Sequence, residues 1–273
     1  MDLVQVRERI VKAARETMVS LATGFPVSQS GDEFEHLSVL FQGLGICDLL
    51  STANVDGFRE NLVRSGHARR SFLRRSKVEG NNDNSHLALS RTEAFLDCMA
   101  AGELVVARDI AALSPGTWNP NWEYEEDHYF YRFLHRLVDP SIVRGDLVLQ
   151  ESVDKIETAL EGARWSQLEV LRALVERDER AFADALEAVL MEESRKLDQK
   201  RPAVVASKFL FWPRSFVSIQ GLALIRAAEL LELDVSQDFP MCPPDGRIPV
   251  SSSSYRDLFR ELEDIIARQK PSP

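Results

Sequence analysis

The segment from Trp118 to Asp139 contains residues whose types and spacing could support metal binding or catalysis. On a helix, Glu125 and His128 lie one turn apart on one face, and His135 follows two turns later. Pairs of this kind bind metal in dinuclear helix bundles, together with a second Glu-x-x-His and two further glutamates. The sequence has no suitable second pair. We therefore predict no metal site and retain a helical metal-dependent enzyme using Glu125, His128 and His135 as an alternative.

Other patterns typical of catalysis are missing from the sequence. It has no Gly-x-Ser-x-Gly elbow and no Walker-type loop. Gly43 and Gly45 follow a predicted helix rather than a strand, so they do not indicate a dinucleotide site. Cys47 and Cys98 lie in apolar helical surroundings, where a free thiol is most often packed and inert. We predict that the chain is not an enzyme, has no catalytic residues and needs no cofactor.

The stretch from Arg59 to Lys77 is strongly basic. Six Arg and one Lys against one Glu give it a charge of +6, which leaves −16 for the rest of a chain whose net charge is −10. It could bind a phosphate backbone, although Phe72 is its only aromatic residue, which is little for base stacking. We favour internal ion pairing with an acidic helix and keep a nucleic-acid-binding regulator as a second alternative. An acidic exterior disfavours nucleic acid and favours a basic protein partner.

An amphipathic helix is predicted to position the residues of the Trp118 to Asp139 segment. Asn119 or Asn121 is a candidate N-cap, and the acidic residues that follow suit the positive end of a helix dipole. Pro140 ends the helix. The apolar residues that recur at spacings of three and four, and so define one buried face, are Phe130, Phe133, Leu134 and Leu137.

The same spacing recurs along the chain and predicts an all-α protein, a bundle of about ten helices with stacked helical hairpins. Capping boxes are predicted at Ser90 to Glu93 and at Ser166 to Glu169, and Asp178 is predicted to cap the clearest helix. A last helix is expected to start after the serines at 251–254. We treat residues 1–273 as one domain, with a mobile polar connection at 80–86.

Composition places the chain among ordinary globular proteins, with 44% apolar and 28% charged residues. Its three cysteines, Cys47, Cys98 and Cys242, are an odd number without metal-ligand spacing, so we expect a reducing compartment. There is no signal-peptide pattern and no apolar run of the roughly 20 residues needed to span a bilayer. We expect a cytoplasmic protein without a membrane partner.

Three further stretches show a family pattern. The acidic-aromatic helix Trp122 to His135 is followed by a Leu/Ala-rich pair of helices around Leu171 to Leu186. Then come Pro213-Arg-Ser-Phe-Val-Ser218 leading into a helix to Ala228, and an extended stretch from Leu233 to Pro240. Over about residues 118–240 the chain resembles the immunity 49 family of bacterial polymorphic toxin systems. The resemblance implies an all-α antitoxin that binds a cognate toxin of the same cell and blocks it stoichiometrically.

The resemblance also directs the search for site residues. If the toxin is a nuclease, its groove is basic, and an acidic surface can occupy it as a phosphate mimic. The predicted toxin-binding residues are Glu123, Glu125, Glu126 and Asp127, with Trp118, Trp122 and Tyr124 as aromatic anchors or rim. In the structural motif, Pro213 ends one element, Ser218 caps the next, and Arg214 is expected to pair with a carboxylate in the core.

Overall fold

The computed structural model describes residues 2–139, 146–200, 208–248 and 255–260. These residues form α-helices and short 3-10 helices, and no β-strand occurs among them apart from one isolated antiparallel bridge between Phe239 and Cys242. The predicted all-α class is therefore confirmed. The helices are α1 Leu3–Ala22, α2 Gly31–Thr52, α3 Val55–Glu79, α4 Ala94–Ala101, α5 Leu104–Leu113, α6 Glu125–Val138, α7 Asp146–Leu160, α8 Ser166–Glu176, α9 Glu179–Lys200, α10 Lys208–Arg214, α11 Ile219–Leu230 and α12 Pro244–Arg247.

Helix α2 is the central element of the N-terminal half. Every residue from Leu40 to Leu49 is buried, so the helix has no solvent face over that length. Helices α1 and α3 pack against it, and α4 and α5 pack on α3. A Cβ at Gly45 would lie 2.8 Å from the carbonyl oxygen of Phe58, so the absence of a side chain at this position permits the close contact of α2 with α3.

The C-terminal half is built from helical pairs. Helix α6 packs against α7, and α8 packs against α9, as the predicted hairpin requires. The turn between α8 and α9 places Arg177 at φ 58°, and the Asp178 carboxylate accepts a hydrogen bond from the Ala181 amide at 2.9 Å, which confirms the predicted cap. Helix α11 packs mainly on α4 and joins the two halves.

Three other capping predictions are wrong. Helix α4 begins at Ala94, and Glu93 makes no capping hydrogen bond because its carboxylate binds side chains of other elements. Ser166 is the first residue of α8, and its hydroxyl donates to Glu192 instead of closing a box with Glu169. Helix α6 begins after Tyr124, so neither Asn119 nor Asn121 caps it; the side chain of Asn119 accepts from the Asn121 amide within the preceding turn.

Two predictions cannot be compared with the fold. The serines at 251–254 and most of the last predicted helix lie outside the described residues. The connection at 80–86 contains the start of a 3-10 helix, Ser85–Leu87. Among the helices that are described, none combines the length and apolarity needed to cross a bilayer.

Candidate functional site

The loop before α6 is held in shape by its own polar groups. The Trp118 indole nitrogen donates to the backbone oxygen of Glu123 at 3.0 Å, and the Trp122 amide donates to the backbone oxygen of Asn119 at 3.0 Å. Both indoles are half-buried and line a cleft of about 570 Å³ between this loop and the end of α3. The loop therefore presents two fixed aromatic rings next to the acidic first turn of α6.

Glu123 differs from the other acidic candidates because its side chain is buried and only 4% exposed. Its carboxylate accepts hydrogen bonds from the Ser90 amide and hydroxyl, both at 2.8 Å, and pairs with His128 Nδ1 at 2.9 Å. Burial alone would raise the pKa of Glu123, but the hydrogen bonds from His128 and Ser90 outweigh burial and hold this pKa below its ordinary value. Glu123 thus anchors the loop to the 3-10 helix that contains Ser90.

The remaining acidic candidates form the first turn of α6. Glu125, Glu126 and Asp127 are all partly exposed, and Tyr124 before them is 74% exposed. Burial, followed by the charges of Glu126 and Glu123, raises the pKa of Asp127. The charges of Glu126 and Glu123 outweigh the opposite effect of Lys196 on Asp127, so this turn is suited to contact a basic surface. We call Tyr124, Glu125, Glu126 and Asp127 the acidic turn.

The residues of the alternative metal site do not converge. His128 is 1% exposed and pairs with Glu123 rather than with Glu125. His135 is buried with its ring 4.3 Å from that of Phe95, and its Nδ1 has no hydrogen-bond partner among the described residues. The helical spacing correctly placed Glu125, His128 and His135 on one helix. The preceding loop, however, brings the carboxylate of Glu123 within hydrogen-bond distance of His128.

One group in the described part of the chain does have metal-ligand distances, and the sequence analysis missed it. Asp32 and Glu35 in the first turns of α2 approach His86 from the 3-10 helix Ser85–Leu87, with ligand atoms within 4.8 Å of one another. The Arg91 guanidinium already donates to Glu35 at 2.8 Å, and His86 Nδ1 pairs with the same carboxylate at 2.6 Å. These contacts satisfy Glu35 within the protein. No sequence pattern links the three residues, because two elements far apart in the chain contribute them.

The basic stretch of α3 is largely directed inward. Arg69 is buried and donates to the backbone oxygens of His86, Leu87 and Ala88, and Arg70 bridges Asp109 of α5 and Asp257. The prediction of internal pairing therefore describes these side chains better than nucleic-acid binding does. The predicted partner, one acidic helix, is wrong: the partners are backbone oxygens and carboxylates from several elements. Further internal contacts within described residues involve Arg59, Arg64 and Arg75.

The motif from Pro213 to Ser218 joins a polar network that is partly exposed at Arg214 and Glu93 and buried at Ser218. Pro213 is the last residue but one of α10, and Arg214 NH2 lies 2.7 Å from Glu93 Oε2. The Ser218 hydroxyl accepts from the Gly221 amide at 2.9 Å, which caps α11, and donates to Glu193. Arg214 and Ser218 thus connect α10 and α11 to α4 and α9.

The network continues through Gln42 of α2. Its amide nitrogen donates to Glu93 at 2.8 Å and to Asp97 at 2.9 Å, and the Ser65 hydroxyl donates to Asp97 at 2.5 Å. Burial raises the pKa of Asp97 to about 8 and the pKa of Glu193 to about 7. The network is therefore able to take up and release protons near neutral pH.

Comparison with known proteins gives one match. A family model described as immunity protein 49 matches residues 49–245, which extends the resemblance from α6–α11 back through α3. No curated protein and no solved structure matches the chain. The match covers well over half of the chain and includes the acidic turn, the Pro213–Ser218 motif and every member of the polar network except Gln42. This chain belongs to the immunity protein 49 family.

Proposed function

We propose that this protein is an immunity protein that binds a cognate bacterial toxin made by the same cell and neutralises it as a stoichiometric complex. Membership of the immunity protein 49 family over residues 49–245 is the observation that carries the proposal. The net charge of −10 supports a basic partner, because opposite charges accelerate encounter between proteins. Neutralisation through binding requires only complementary shape and charge, so it needs no reactive centre in this chain.

The acidic turn is our candidate for the contact with the toxin. Its three carboxylates are partly exposed, and Tyr124 adds an aromatic ring that is 74% exposed. Tyrosine is enriched among the residues that dominate binding energy at interfaces, and flanking charges give specificity and speed of association. Trp118 and Trp122 lie beside the turn and line the neighbouring cleft, where a side chain of the toxin would be partly enclosed.

A nuclease is the toxin class that this surface fits best. The substrate groove of a nuclease is basic because it binds phosphates, and successive carboxylates on one helical turn can take the place of those phosphates. Glu123 is not part of this contact in our proposal, since its carboxylate is buried and bonded to Ser90 and His128. Its role is to hold the loop that carries the indoles.

The test is the affinity for the cognate toxin, measured by isothermal titration. A variant with Glu125→Gln, Glu126→Gln and Asp127→Asn should bind at least tenfold more weakly than the wild type. The matched control removes two Glu and one Asp from exposed positions elsewhere and consists of Glu176→Gln, Asp184→Asn and Glu187→Gln. Equal weakening by both variants would reject the acidic turn as the contact, and no binding by the wild type would reject the function.

A further inference from the structure

A cleft of about 330 Å³ between α5 and the end of α6 differs in charge from the rest of this acidic protein. Three arginines line it, Arg108 from α5 and Arg132 and Arg136 from α6, together with the imidazole of His135. The remaining lining residues are Ala111, Ala112, Val138 and Asp139. Cations therefore outnumber anions in the wall of the cleft.

Arg132 carries a charge that the described part of the protein does not neutralise directly. The side chain is half-buried, and within the described residues it makes no hydrogen bond and no ion pair. Burial, followed by repulsion from Arg136, lowers the pKa of its guanidinium, and the attraction of Glu151 only partly offsets these two effects. Keeping this charge in the cleft reduces the stability of the unliganded protein, as is common for residues that serve binding.

Hydrogen bonds to neighbouring groups hold the other two arginines, Arg108 and Arg136, in place. Arg108 Nε donates to the backbone oxygen of Val138 at 2.7 Å, and within the described residues its two terminal nitrogens have no hydrogen-bond partner. Arg136 is more fully bonded, to the backbone oxygen of Val148 at 2.7 Å and to Glu151 at 2.9 Å. Arg108 and Arg132 can therefore donate to a bound group, while Arg136 adds charge and fixes one wall.

The imidazole of His135 also lines this cleft. Its side chain is 4% exposed, and Nδ1 has no hydrogen-bond partner among the described residues. Burial, with smaller effects from Arg132, Arg69 and His128, lowers the pKa of His135 to about 3, so the imidazole is neutral near pH 7. The ring therefore adds no charge to the wall, and the positive charge of the cleft comes from its three arginines.

Helix geometry alone does not account for the three arginines. Cations in the last turn of a helix offset its negative end, which explains Arg136 and the contact of Arg108 with the Val138 backbone oxygen. Arg132 lies more than a turn before that end and contacts no terminal carbonyl. It therefore requires a different explanation, and a bound anion provides one.

We propose that this arginine cleft binds a phosphate monoester of a small molecule. Guanidinium groups match phosphate oxygens through paired N–H donors, and a dianion matches the net charge of a wall with three arginines and Asp139 better than a monoanion does. The volume lies at the lower end of the range for small-molecule pockets, and the alanines and Val138 leave room for a short carbon stem. Binding here does not depend on toxin binding at the acidic turn.

The test is isothermal titration with ribose 5-phosphate and with inorganic phosphate, in chloride buffers of matched ionic strength. The wild type should bind both, and ribose 5-phosphate should bind more tightly than inorganic phosphate because the cleft also holds the carbon stem. Equal binding of the two would show that phosphate alone is recognised and would overturn the monoester. Arg132→Gln should weaken binding at least tenfold. The control is Arg74→Gln, which removes one exposed positive charge on α3. No binding of either probe, or equal weakening by both variants, would overturn the proposal.

A second measurement separates lost binding from lost folding. Without ligand, Arg132→Gln should unfold at a temperature equal to or above that of the wild type, because repulsion with Arg136 is removed. In the wild type, ribose 5-phosphate should shift the ring resonances of His135 in NMR spectra, with no such shift in Arg132→Gln. A less stable variant, or tighter binding of succinate than of either phosphate probe, would contradict a phosphate site.

Discussion

At the scale of single residues, Glu123 and Glu126 illustrate two roles for acidic side chains that are neighbours in sequence. Glu123→Gln removes a buried charge that accepts hydrogen bonds from Ser90 and His128, and should destabilise the fold by about 1–3 kcal/mol. Glu126→Gln removes a partly exposed charge and should change stability by less than about 0.5 kcal/mol. Urea denaturation of both variants measures the difference. Equal stabilities would show that Glu123 does not anchor the loop.

The stability that Glu123 contributes should change with pH in a definite direction. Its pKa in the folded protein is depressed, so the stability it contributes is present above the unfolded pKa of about 4.5 and is lost as pH falls through the lower folded value. The advantage of the wild type over Glu123→Gln should therefore begin to shrink as pH falls below about 4.5 in unfolding curves recorded between pH 3 and 7. An advantage that is constant across this range would contradict the assignment.

The effect of Asp97 on stability changes with pH in the opposite direction, because burial raises the pKa of Asp97 from 3.8 to about 8. The folded protein retains a proton that the unfolded chain has lost, so this residue lowers stability progressively as pH rises from about 4 to 8. Asp97→Asn imitates the protonated form and should flatten that decline, by on the order of a few kcal/mol at pH 9. Thermal unfolding of this variant and of the exposed control Asp184→Asn tests the effect, and parallel curves for Asp97→Asn and wild type would refute it.

Local sequence patterns anticipated the acidic first turn and the apolar face of α6 but not the partners of individual charges. Arg214 was expected to meet a carboxylate, yet the carboxylate proves to be Glu93, which the sequence pattern had assigned to a helix cap. Ser90 of the same pattern binds Glu123 instead. Pairings between residues 33 or more positions apart depend on tertiary packing, which outweighs the weaker local preference for a cap.

At the scale of elements, the contact between α3 and α4 depends on Gly66. A Cβ at this position would lie 2.0 Å from Cys98 Sγ and 3.2 Å from Val106 Cγ1, so there is no space for a methyl group. Gly66→Ala should destabilise the protein by roughly 1–3 kcal/mol through overpacking, although alanine is the better helix former by about 1 kcal/mol. Adding Cys98→Ala should restore part of the loss, as a double-mutant cycle of unfolding free energies would show. Strictly additive effects would place the strain elsewhere.

Helix positions were easier to predict than helix beginnings. The repeat of apolar residues located α6 and the hairpin of α8 and α9 because burial of one face is a property of the whole helix. A beginning depends on a single cap, and several polar residues near each start could have served. At α4, α6 and α8 the candidate side chains bind other elements or the preceding turn.

At the scale of the whole molecule, the placement of charge connects the fold to the proposed function. Arg69 and Arg70 of α3 are bonded to other groups of this protein, whereas the acidic turn is partly exposed. The exterior can therefore attract a basic protein over distances set by ionic screening. We expect the association rate with the toxin to fall at least tenfold between roughly 0.05 M and 0.5 M salt in stopped-flow experiments, with a smaller change in the dissociation rate. A rate independent of salt would rule out electrostatic steering.

The most direct test of the account is rescue of growth together with complex formation. The cognate toxin is expressed in a sensitive host with and without the immunity protein, and the two purified proteins are then mixed and sized by light scattering. We predict that cells survive only with both proteins and that the purified pair forms a stoichiometric complex in which the toxin is inactive. Survival without complex formation, or death despite abundant folded immunity protein, would contradict neutralisation by binding.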